Sequence, residues 1–262
     1  MECRPGLSTL SILCPFHFQP SRVIVAIDGP AGSGKSTTAR RVADALGWLY
    51  LDTGAMYRAT SLAFLDLGAA FTAAEAERVL PGLQLDLGRV GDDLRVFVGG
   101  EDVTDRIRTP EASEAASRVS TIPSVRARMV DVQRRIARER LAAGSGVVME
   151  GRDIGTVVFP DADVKVFMDA KPEARAQRRY EELTARGESA SLQAVADDIA
   201  ARDARDTSRD IAPLRPAPDA VRLDTTGLTI DDQVEKVLAL VRERTAQFAT
   251  QPGSFYDPKP TS

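Results

Sequence analysis

Cysteine and histidine are almost missing from this chain. It carries two cysteines, Cys3 and Cys14, and one histidine, His17, among 262 residues. Two thiols cannot build a disulfide framework, and such usage suits a reducing compartment, so a cytoplasmic setting is expected. Three candidate ligands crowded near one end, without a fourth, do not make a metal site. Long apolar runs are missing as well. No stretch approaches the roughly eighteen residues that span a bilayer. The run Leu10-Ser11-Ile12-Leu13 is too short for a secretory signal, has Pro15 close behind and lacks a small-residue cleavage site. Nor is there an excess of positive charge: 34 Lys and Arg face 38 Asp and Glu, a net −4. Without a global basic field, no nucleic-acid partner is expected, and without a spanning segment no membrane.

What is present is ordinary for a globular protein, with 43% hydrophobic and 27% charged residues. The length suits one α/β domain with an insertion better than two equal domains. Residues 1–22 hold three prolines and no periodicity, which reads as a disordered extension. Residues 249–262 read as a flexible tail, leaving 23–248 as the folded domain.

One segment dominates the chemistry. The β-branched run of residues 23–27 feeds the turn Gly29-Pro30-Ala31-Gly32-Ser33-Gly34-Lys35-Ser36, which fits G-x-x-x-x-G-K-[ST]. The glycines let the backbone wrap phosphate oxygens with its N–H groups pointing inward. Lys35 supplies positive charge at the β- and γ-phosphates, and the Ser36 hydroxyl can ligate Mg²⁺. Ala39, Val42, Ala43 and Leu46 then recur at helical spacing, so the loop opens a helix whose N-terminus favours anions. A chance glycine turn would not have strand, loop and helix all in register. The motif predicts a bound nucleoside triphosphate, with Mg²⁺ as cofactor, and leaves open what is done with it.

Strand-like and helix-like segments alternate along the chain, the pattern of a parallel sheet covered by helices. Strands are predicted at 23–27, 48–51, 146–149, 164–168 and 221–224. An amphipathic helix is predicted at 124–141, another opening at Pro172, and a last one after the N-cap Thr229. Residues 83–87 and 94–98 break the alternation: apolar and polar residues alternate within each, and Gly91-Asp92-Asp93 separates them. With 101–103 they predict a small antiparallel meander, either decoration or part of a substrate lobe.

Three constellations accompany the loop. Asp52 and Arg58 follow the second strand, at the sheet edge where ligands gather. Asp52 can hold a water of the Mg²⁺ shell or merely cap a helix; Arg58 can clamp a phosphate or sit on the surface. Glu150-Gly151-Arg152-Asp153 follows the third strand and resembles a Walker B acid near magnesium, unless Arg152 and Asp153 only pair with each other. Arg202, Arg205 and Arg209 lie at i, i+3 and i+7, one helical face, ended by Pro213. Such a face repels itself unless it meets anions, either a transferring phosphoryl group or the interleaved Asp203, Asp206 and Asp210. These arginines exceed what one triphosphate needs, and no general base stands out. Both points suit transfer to a second phosphate, whose oxygens are already ionised with a second pKa of about 6.

These motifs resemble those of bacterial-type cytidylate kinases. The similarity runs from about residue 23 to 245. It rests on Gly29–Thr37, Asp52–Arg58, the run from Gly151 to Pro160, the arginine-rich 202–214 and Leu223-Asp224-Thr225-Thr226. The resemblance implies a P-loop NTPase fold: a parallel sheet flanked by helices, with an antiparallel monophosphate-binding insertion at about 71–117 and a helical lid at about 186–213. It implies transfer of the γ-phosphoryl group of ATP to CMP or dCMP, and a monomer is expected. Residues Gly29 to Thr37 would bind ATP, and Lys35, Arg202, Arg205 and Arg209 would be catalytic. Ser117, Arg126 and Asp153 correspond to cytosine contacts, Arg58, Arg152 and Arg209 to the acceptor phosphate, Arg202 and Asp206 to the ribose. Thr53 belongs to the same acceptor set. Ser36 would ligate Mg²⁺, with Asp52 and Glu150 acting through water, although Glu150 stands where the family commonly has aspartate. The rivals are another P-loop small-molecule kinase and a nucleotide-binding switch without turnover. The first would lack the cytosine set and the second would have lost Lys35 or the lid arginines.

Overall fold

The structure, a computed structural model, describes residues 22–90 and 93–250. Cys3, Cys14, His17 and the turn residues Gly91 and Asp92 lie outside the described residues, as does nearly all of the extension and tail expected at 1–22 and 249–262. In chain order the elements are β1 (Ile24–Asp28), α1 (Lys35–Leu46), β2 (Leu49–Asp52), α2 (Thr53–Asp66), α3 (Ala73–Val79), β3 (Leu85–Val90), β4 (Asp93–Val98) and β5 (Glu101–Asp102). They continue with α4 (Pro110–Val119), α5 (Pro123–Ala142), β6 (Val147–Gly151), β7 (Val164–Asp169), α6 (Pro172–Ala185), α7 (Leu192–Thr207), β8 (Val221–Asp224) and α8 (Ile230–Thr250).

Five strands form one parallel sheet in the order β2-β6-β1-β7-β8. All five match the predicted strands, with ends displaced by a residue or two. β1 is buried along its whole length because helices cover both faces of the sheet. Its alternation divides it between two cores. Ile24 and Ala26 pack with Leu51, Met56, Met129 and Met149 on one side. Val25 and Ile27 pack with Val42, Val148, Val166 and Val237 on the other. The expected meander is a second, antiparallel sheet, β3-β4-β5, with Val90 opposite Asp93 across a tight turn.

Local chemistry sets the helix ends. Thr229 and Asp232 form a reciprocal cap at the start of α8: each side chain accepts the other's backbone N–H, at 3.2 and 3.0 Å. The helix over 192–207 corrects one expectation. It stops at Thr207, before Arg209 and well before Pro213. Ser208 caps it, Ala212 takes a left-handed φ of 53°, and Leu214 N–H returns to the Asp206 carbonyl at 2.8 Å. The chain has therefore already turned when it reaches Arg209. No helix among the described residues is long and apolar enough to cross a membrane.

Candidate active site

The glycine-rich loop leaves β1 at Gly29 under a tight roof. A Cβ on Gly29 would lie 2.0 Å from the Met168 carbonyl oxygen, so no side chain fits. Gly34 takes φ 89° at the N-cap of α1, where no side chain bonds the first amides. Those amides remain available to an anion. The loop carbonyls are tied from outside. Thr225 Oγ1 donates to Ser33 at 2.9 Å, Arg175 Nη1 to Ala31 at 3.1 Å, and Lys35 Nζ to Pro30 at 3.2 Å. Ser33, Gly32 and the preceding loop residues thus present a fixed cradle, while Thr37 lies exposed in the first turn of α1. Lys35 is buried, and burial, helped by the charge of Arg152, lowers its pKa to about 7.

Parallel register brings the acids to this loop. Asp52 on β2 lies opposite Glu150 on β6, and Ile27 on β1 is Glu150's other neighbour. Ser36 Oγ donates to Glu150 Oε2 at 2.7 Å and Tyr50 OH to Oε1 at 2.6 Å. Burial and the neighbouring Asp52 raise the Glu150 pKa, opposed by Lys35. Thr53 Oγ1 donates to the Glu150 carbonyl at 2.7 Å. Asp52 serves two partners: it caps α2 through the Ala55 amide at 2.8 Å and pairs with Arg58 at 3.0 Å. The helix-capping alternative is therefore realised, alongside an ion pair with Arg58.

A second cluster adjoins the first. Arg152 Nε donates to Asp206 Oδ2 at 2.8 Å, and Arg209 bonds the other carboxylate oxygen. Burial works to raise the Asp206 pKa, but Arg152 and Arg209 outweigh it and hold the carboxyl below its usual range. Asp153 does not pair with Arg152. Its partner is Arg126 of α5, in an ion pair buried on both sides. Arg126 also donates to the Ser120 carbonyl at 3.3 Å and lies 5.9 Å from the ring centre of Tyr57. Ser120 in turn donates to the Ser117 carbonyl at 2.9 Å, which places Ser117 next along the same chain of contacts.

Some site residues are left without protein partners. The side chains of Arg202 and Arg205 make no hydrogen bond or ion pair among the described residues, and burial together with Arg152 lowers the Arg202 pKa. The buried Ser33 Oγ, Ser117 Oγ, Arg205 Nε and Arg209 Nε have no acceptor or donor. Each such group costs about 1–3 kcal/mol when left unsatisfied; Arg95 Nε, Ser124 Oγ, Gln133 Oε1 and Asp203 Oδ1 are unpartnered as well.

Sequence patterns missed several contributors. Tyr50 orients Glu150, and Arg175 of α6 joins the Ala31 carbonyl to Asp203 of α7 at 2.5 Å. Asp28, at the very end of β1, carried the detectable signal of a strand terminus beside the loop. Arg175 carried none, being one arginine among many in its helix.

A family model described as cytidylate kinase matches residues 25–243. A cytidylate kinase of Salinibacter ruber is 52% identical over 220 residues, covering 84% of this chain and 97% of that protein. Cytidylate kinases of Geobacter sulfurreducens and Geobacillus kaustophilus are 47% and 46% identical, each covering 85% of this chain and 94% and 98% of their own lengths.

Proposed function

The chain belongs to the cytidylate kinase family and phosphorylates CMP at the expense of ATP; from that premise we propose which of its residues do so. The glycine-rich loop with Lys35 is the donor half, and the cluster of Arg58, Arg152, Arg202, Arg205 and Arg209 is the acceptor half. The carrying observation is the contiguity of the two: Ser36, beside Lys35, donates to Glu150 at 2.7 Å, and Arg152, two residues beyond Glu150, holds Asp206 at 2.8 Å.

Asp153 and Arg126 suit a cytosine. Its N4 amino group donates to a carboxylate, and N3 and O2 accept from a guanidinium; the Ser117 hydroxyl, which has no partner, would join them. Uracil sets its O4 against Asp153 instead, at a cost of about 1–3 kcal/mol. Arg202 and Asp206 would meet the ribose, as the family resemblance implies, and Thr53 lines the same crevice. The acceptor phosphate needs no general base because its oxygens are ionised at neutral pH. Catalysis is then positioning and charge neutralisation, with Lys35 and the arginines following the γ-phosphoryl group as it moves. Triphosphate charge beside Lys35 favours its protonated form.

The donor set beside Ser36 fits Mg²⁺. Among the described residues no three-acid cluster could cage a metal. A hydroxyl with Glu150 and Asp52 behind it suits an ion that keeps most of its waters and takes phosphate oxygens. Bound there, Mg²⁺ would neutralise charge on the β- and γ-phosphates. The segment at about 186–213, which carries α7, acts as the lid, and residues 71–117 as the acceptor lobe. The two halves of the site come from one chain, so a monomer suffices, and its soluble nucleotide substrates suit the cytoplasm.

Coupled ADP release with a panel of CMP, dCMP, UMP, AMP and shikimate tests this reading. Turnover should be fastest with CMP or dCMP and vanish in Lys35→Met. Bound ATP without turnover on any acceptor would contradict it.

A further inference from the structure

Residues Ile154–Val158 form a single π-helical turn directly after Arg152 and Asp153. Single π-helical turns are rare and are frequently found at functional sites. Here side chains from two other elements hold its ends. At the start, Asp28 accepts the Ile154 amide on Oδ1 and the Gly155 amide on Oδ2, both at 2.8 Å. At the far end, Arg134 donates from Nε to the Val158 carbonyl and from Nη2 to the Val157 carbonyl, both at 2.9 Å. An anion at the first amides and a cation at the last carbonyls match the polarity of a helical turn.

The two anchors belong to the two halves of the site. Asp28 ends β1, and the next residue is Gly29 of the phosphate loop. Arg134 lies about two turns beyond Arg126 on α5, and Arg126 is the partner of Asp153. The turn is therefore pinned between the donor loop and the helix that supplies the base-reading arginine.

We propose that Asp28 and Arg134 are positioning residues, clamping the π-turn so that Arg152 and Asp153 are set against the phosphate loop and Arg126. The clamp fixes the acceptor nucleotide's base and phosphate relative to the donor. This rests on the reading of Asp153 and Arg126 as cytosine contacts. Arginine suits position 134 because its planar fork holds two carbonyls in one fixed geometry, which a lysine ammonium on a flexible stem does less well.

Arg134→Met removes both donors and keeps the apolar stem. Two readouts apply: amide exchange of the 152–159 segment in the ligand-free protein, and steady-state kinetics with CMP and UMP. Exchange over 154–158 should quicken in Arg134→Met while β6 stays protected. The KM for CMP should rise about tenfold, the KM for ATP should stay within about twofold, and the CMP-over-UMP ratio should fall. Arg134→Lys should recover part of each effect. Unchanged exchange with an unchanged KM for CMP would overturn the proposal. So would a uniform loss of kcat with both KM values and the nucleotide ratio intact, the mark of a merely structural residue. If Arg134→Met does not fold, Arg134→Lys and Asp28→Asn are measured in the same way, and the same outcomes support or overturn the clamp. A wild type that fails to prefer CMP would sink the substrate reading alone, because exchange still judges the clamp.

Discussion

Asp206 shows how one carboxylate organises a site crowded with like charges. It takes Arg152 on one oxygen and Arg209 on the other, and it is only 4% exposed. Without it two guanidinium groups would face each other in a desolvated pocket. Asp206→Asn should therefore lower stability by about 3 kcal/mol in urea unfolding, within the range for breaking a buried charge pair. It should also raise the KM for CMP. A variant as stable as wild type would show that the pair is not held in this geometry. Asp28 makes a pH prediction. Burial raises its pKa from 3.8 to about 6, against the two amides it accepts. A raised folded-state pKa gives a contribution present below about pH 4 and lost as pH climbs through 6. Relative to Asp28→Asn, the wild type should lose about 3 kcal/mol of stability between those limits. A constant difference between the two across that window would reject the assignment. At this scale the sequence was readable where chemistry admits few residue types, as at Lys35 and Ser36. Asp28 and Arg134 act on backbone groups far away in sequence, so their neighbours do not reveal which groups they hold.

Among the elements, the parallel strands were legible because short β-branched runs such as 24–27, bounded by turn residues, favour extended backbone. Their ends were not, since Gly151 joins β6 only through its pairing with Asp28 of β1. The end of the helix over 192–207 was hidden for a related reason. Arginine spacing shows a face but says nothing of where the face ends, and here the terminus is fixed by the return of Leu214 to Asp206. The same helix carries Asp203, which holds Arg175 while Arg175 holds the Ala31 carbonyl. That bridge joins the proposed lid to the phosphate loop. Asp203→Ala should loosen it, lowering kcat with CMP by about tenfold and raising ADP release without acceptor, because water reaches the donor. Acceptor-free ADP release equal to that of wild type would exclude a lid role for this bridge.

For the molecule as a whole, two apolar cores on opposite sides of β1 fix the rigid part, and four of the eight buried polar side-chain atoms without a partner among the described residues belong to the proposed site residues Ser33, Ser117, Arg205 and Arg209. The overall architecture was readable from alternating strand and helix patterns together with one phosphate loop. The acceptor half was not readable from composition or periodicity. Arg126 and Asp153 are 27 residues apart, on a helix and after a strand, and only folding makes them a pair. We assign the choice of base to that pair, so it carries the central claim. The direct measurement is kcat/KM for CMP and for UMP in wild type and in Asp153→Asn. Wild type should favour CMP by about tenfold or more, and the variant should lose most of that preference, mainly through CMP. Equal use of both nucleotides by wild type, or an undiminished preference in Asp153→Asn, would contradict the account.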